Sequence, residues 1–181
     1  MTWHSYHHRG EVLRRIIEAA DRRLDGILPM DVDGVGQTFE DDLAVLAALE
    51  LRWHTRLAGQ IERNLMSQPM DLEASVILAW QQNAEALPGV RMILDHYAAH
   101  PDTVEMADNL ATAAAKEHQL LAMMAGLASE LDEACARVGA ELVERARRAP
   151  APKHREEPEE TGEPHATVLS FVERIKAAMV A

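Results

Sequence analysis

The chain has 181 residues, 48% of them apolar but only 4% aromatic, and a formal net charge of −12. Such a surface repels nucleic-acid backbones and anionic membranes, and no apolar run approaches the roughly 18 residues that span a bilayer. A core this poor in aromatics has to be made of Leu, Ala, Ile, Val and Met, which suits helix-on-helix packing better than sheets, and one cysteine, Cys135, excludes an intramolecular disulfide framework. With no apolar h-region in MTWHSYHHRG, the expected location is the cytoplasm.

The spacing predicts a first helix over 10–28, with Val12, Leu13, Ile16, Ile17, Ala20, Leu24 and Ile27 on its apolar face and Pro29 as its stop. The longest uninterrupted pattern follows over 38–67, with Thr38 as the expected N-cap. It carries a stripe of Leu43, Leu46, Ala47, Trp53, Leu57, Ile61 and Leu65. Asp71 opens a shorter helix with Leu72, Val76, Ala79, Trp80, Asn83 and Leu87 on one face. Pro88-Gly89 breaks it, and about three more turns follow. From Pro101-Asp102 the pattern runs to about 148 with a stripe of small residues, Ala107, Ala111, Ala114, Leu121 and Ala125, and an expected bend near Gly126 or Gly139.

At 149–166 the composition changes to four prolines and almost nothing apolar, which reads as a solvated, flexible linker of 18 residues. The last stretch, 167–181, is amphipathic. Val168, Phe171, Val172, Ile175 and Met179 share a face, while Glu173, Arg174 and Lys176 point elsewhere. A helix this short is unstable alone in water, so it needs a groove on its own bundle or on a partner protein. The expected architecture is therefore an all-α antiparallel helical bundle of four to five helices over 1–148, with a tethered C-terminal amphipathic helix.

Three groups of polar residues carry the candidate chemistry. Glu50 and His54 stand four apart on the long central helix, so both point to one side and can ligate one metal or join one hydrogen-bond network. His118, between Ala114 and Leu121, is the expected third member. An inward carboxylate with two histidines in an all-α bundle resembles the ferritin-like di-metal proteins. That resemblance implies a transition-metal site, but no Glu here is followed by His at the third position, as the paired Glu-x-x-His motifs of that family require. His96 and His100 share the same i, i+4 spacing.

The turn DVDGVGQTFEDD puts Asp31, Asp33, Gly36 and Asp42 at positions one, three, six and twelve of an EF-hand-type calcium loop. With Asp at the twelfth position it resembles the dockerin variety. Val35, however, stands where the loop needs a side-chain oxygen, so the expectation is an acidic entry turn that does not bind calcium.

For nucleophilic catalysis there is no glycine-rich phosphate loop and no Gly-x-Ser-x-Gly elbow, and Cys135 stands among acids in LDEACARVG. The resulting expectation is a non-catalytic interaction or regulatory protein with no cofactor, acting through the face of Val168, Phe171, Val172, Ile175 and Met179. The alternative is a metal-binding bundle built on Glu50, His54 and His118.

Overall fold

A computed structural model describes the backbone of residues 3–150 and the side chains from His8 onward. The expected linker beyond Pro150 and the amphipathic stretch 167–181, with its candidate docking residues, lie outside the described residues. Within them the fold is all-helical: α1 (Trp3–Arg23), α2 (Val35–Thr38), α3 (Asp42–Ser67), α4 (Leu72–Ala86), α5 (Pro88–Ala99), α6 (Val104–Met124) and α7 (Glu133–Arg148).

Local chemistry sets most helix ends. Side-chain caps open α3, α4, α6 and α7: Asp41 accepts from Ala44 N, Asp71 from Ala74 N, Thr103 from Met106 N and Asp132 from Cys135 N. Two of these differ from expectation. Thr38 closes the short helix α2 instead of opening α3, and the cap of α6 is Thr103, one residue beyond the expected start at Pro101-Asp102. The first helix ends early, at Arg23. Leu24 enters the left-handed region at φ 50°, and Asp25 accepts a hydrogen bond from Ile27 N, so Leu24 and Ile27 finish exposed.

Pro88 starts α5 directly after α4. The long pattern beyond 101 is two helices, not one bent helix. Gly126 (φ 71°) stops α6, with Leu127 N donating to Ala122 O and Gly126 N to Met123 O.

The core is one cluster in which Trp53, Leu46, Leu49, Leu57, Ile61, Ile16, Ile93 and Leu121 are fully buried. It corrects two of the stripes. On α3 the buried residues are Val45, Leu46, Leu49, Trp53, Leu57 and Ile61, while Ala47 is exposed and Leu43 and Leu65 are half-buried. On α6, Ala111 and Ala114 face solvent and Met106, Leu110, Glu117, Leu121 and Ala122 face in. Five of the six alanines of α6, all but Ala113, fall within about 100° of one another around the helix, but that arc lies beside the face of Met106, Leu110, Glu117 and Leu121 and not on it. The larger side chains choose the buried face because they remove more apolar surface from water.

Helix approach is closest at two glycines. A Cβ on Gly139 of α7 would lie 1.8 Å from the His118 carbonyl oxygen of α6, and one on Gly89 would lie 2.2 Å from the Ala20 carbonyl carbon of α1. Asp21 also accepts from Gly89 N at 2.9 Å, tying the start of α5 to α1.

Candidate functional site

The corrected phase of α6 turns Glu117 inward, and Glu117 is the polar centre of the bundle. It is one of three buried polar residues among those described, with Ser75 and Asn83. Its Oε2 accepts from the Trp53 indole N–H at 2.9 Å, and its Oε1 accepts from the Trp80 indole N–H at 2.9 Å. His54 Nε2 stands 3.2 Å from the same Oε2. An ionised carboxylate only accepts, so His54 must carry its proton on Nε2. The Arg91 guanidinium is 4.0 Å away.

A second layer holds these donors. The two indoles meet edge to face, with ring centroids 5.9 Å apart and planes at 73°. Arg91 lies over the Trp53 ring at 4.7 Å and Arg147 over the Trp80 ring at 5.3 Å. Both arginines end on Asp95, Arg91 at 2.9 Å and Arg147 through two bonds of 2.7 and 3.0 Å. Asn83, fully buried, donates to the Trp53 carbonyl at 3.3 Å. The network thus joins α3, α4, α5, α6 and α7.

Burial by itself raises the Glu117 carboxyl, but the hydrogen bond from His54 and the Arg91 charge outweigh it and hold the group below its ordinary 4.5. Glu50 has the opposite balance: burial raises it, and the His54 and Arg91 charges only partly offset this. Burial lowers His118.

These directions fix the signs of pH dependence. The stabilisation from ionised Glu117 is fully present above the unfolded value near 4.5 and is lost as pH falls through its lower folded value. That of protonated Glu50 is present at low pH and lost as pH rises through its raised folded value. Glu50→Gln, which mimics the protonated form, should therefore raise the urea midpoint at pH 7 and leave it unchanged near pH 3. A lower midpoint at pH 7 would show that ionised Glu50 is instead a stabilising partner.

The sequence-predicted residues divide accordingly. Glu50 and His54 do face one cleft, but they flank the buried stripe of α3 and are half-buried. His54 bonds to Glu117, not to Glu50. His118 does not join them, because it is one residue, about 100° of helix rotation, beyond Glu117, and its backbone packs on Gly139. Glu117 is the residue that sequence reasoning missed. The signal for it was its spacing from the large residues Met106, Leu110 and Leu121, with the alanines discounted.

In the acidic turn, α2 starts at Val35, which is buried, and Asp31 pairs with Arg23 at 2.6 Å. Asp33 is exposed, and Asp42 lies in the first turn of α3. A helical turn thus occupies the middle of the stretch that resembles a calcium loop. His96 and His100 stack at 5.3 Å between centroids, with His96 half-buried and His100 exposed.

The cleft in front of Glu117 is lined by Glu50, His54, Arg91, Leu94, Leu110 and Ala113 among others and measures about 40 Å3. That is room for a few water molecules and not for an organic substrate. A cation there would meet the Arg91 charge and compete with two indole donors for the carboxylate. Among the described residues no three His, Cys, Asp or Glu side chains are grouped to hold a metal. A wider cleft of about 500 Å3 between α1 and α3 is lined by Leu13, Ala47, Leu51, Arg9 and Arg52 among others, with no acid or imidazole among the described residues of its wall.

Comparison with known proteins adds no relative: no family model matches the chain, and no curated protein or solved structure does either. Among the described residues no helix is long and apolar enough to cross a membrane.

Proposed function

We propose that the chain is a non-catalytic helical interaction protein of the cytoplasm, in which the bundle is a scaffold and the amphipathic stretch 167–181 docks into a groove of a partner protein. The supporting observation is that the chain's own donors close the buried polar centre. Both Glu117 oxygens are bonded, and the cleft beside them is too small for a substrate. The indole and imidazole donors take up three of the carboxylate's roughly four acceptor positions, and the space beside it holds only a few waters. The apolar face of Val168, Phe171, Val172, Ile175 and Met179 then supplies the recognition, on a tether that reaches on the order of 25 Å.

Truncation after Arg148 tests this. The shortened chain should keep its helicity and melt with the full chain, and Phe171→Asp should shift stability by less than about 1 kcal/mol, the scale of surface substitutions. A synthetic 167–181 peptide should be unstructured in water. Unfolding of the bundle on truncation would make the tail part of the core and end this reading. Stoichiometric metal in protein purified without an affinity tag, lost in His54→Ala, would replace it with the metal-binding one.

A further inference from the structure

Two loops meet at one end of the bundle. A Cβ on Gly126, in the α6–α7 loop, would lie 3.3 Å from Leu72 Cδ1 at the start of α4, so the α3–α4 and α6–α7 connections adjoin. Among the described residues, six of the eleven exposed large apolar side chains lie in these connections or at the helix ends beside them. Met66 and Met70 are 85% and 96% exposed, Leu131 is 69% exposed, and Leu72, Met123 and Leu127 are exposed as well. Large apolar side chains left exposed at two adjoining connections mark a candidate interaction surface, and methionine side chains adapt to different partner shapes.

The charged residues within the two connections are all acidic. Segments 66–76 and 123–136 together contain Asp71, Glu73, Glu130, Asp132 and Glu133, and no Lys, Arg or His. Arg145 crosses over to pair with Glu73, which leaves four acids around the apolar surface. A second copy of the chain would bring the same acids face to face, and like charges disfavour that contact. Nucleic acid and anionic lipid are repelled for the same reason. A helix with one apolar face and basic flanks satisfies both the burial and the charge. We infer that this end of the bundle is a docking surface for a basic amphipathic helix of a partner protein. Every variant below leaves segment 167–181 intact, so failure here leaves the tail reading standing.

The test is fluorescence anisotropy on the full chain, with a labelled leucine/lysine peptide whose leucines follow helical spacing and a scrambled peptide of the same composition as the reference. The amphipathic peptide should bind about tenfold tighter than the scramble. The triple variant Met70→Asp, Leu127→Asp, Leu131→Asp should lose about tenfold in affinity although it adds three attractive charges. Glu130→Lys with Glu133→Lys should also weaken binding, and Leu51→Asp, on an exposed site of α3, should not. If the triple aspartate variant binds as tightly as the natural chain, or the scramble binds equally well, only net charge is at work and the docking surface is refuted. Loss of binding in Leu51→Asp would refute its location.

Discussion

Glu117→Ala is expected to lower the stability of the bundle by about 3–5 kcal/mol, the range for removing one partner of a buried charged cluster. The substitution strips the acceptor from two buried indole N–H groups and from His54, and removes the carboxylate 4.0 Å from Arg91. Each buried donor left without a partner costs on the order of 1–3 kcal/mol.

Glu117→Gln separates charge from shape. An amide has one accepting oxygen, so whichever way it lies its NH2 faces an indole N–H. Directed at Trp80, it orphans that donor; directed at Trp53, it orphans that one and also faces His54 Nε2. The loss should therefore be smaller, about 1–3 kcal/mol. Urea unfolding followed by tryptophan emission measures both, since two of the three tryptophans are the donors. A Glu117→Gln protein as stable as the natural one would mean that the carboxylate does not hold the helices together.

Gly139→Ala should destabilise strongly, against the direction that helix propensity gives. In an isolated helix this change is favourable by about 1 kcal/mol. Here the new methyl would stand 1.8 Å from the His118 carbonyl oxygen, a backbone atom that no rotamer change can move. The two helices must separate by more than an ångström, which loosens Leu121, Leu142 and Val143 in the same cluster. Overpacking of this kind costs about 1–3 kcal/mol, occasionally more. Gly89→Ala meets the Ala20 backbone at 2.2 Å and should behave alike. Thermal melting reads the sign directly: a raised midpoint for Gly139→Ala would show that α6 and α7 do not approach as described.

The sequence by itself determined what depends on neighbours in the chain. Apolar spacing identified α3, α4 and α5 as helices. Asp71 announced its cap because a short acceptor before an apolar run satisfies free N–H groups locally. Gly126 was one of two possible break points, and its left-handed conformation made it the stop. Whether Glu50 and His54 would bond each other or a third residue was not readable. The deciding partner, Glu117, is 63 residues from His54 and 64 from Trp53, and its inward direction followed from the phase of an alanine-rich helix. A stripe of alanines is a weak guide to the buried face, because each alanine removes little apolar surface from water. On α6 the tertiary packing chose the phase, by burying Met106, Leu110 and Leu121 and by seating Gly139 on His118. That choice turned a carboxylate toward two indoles and the imidazole away.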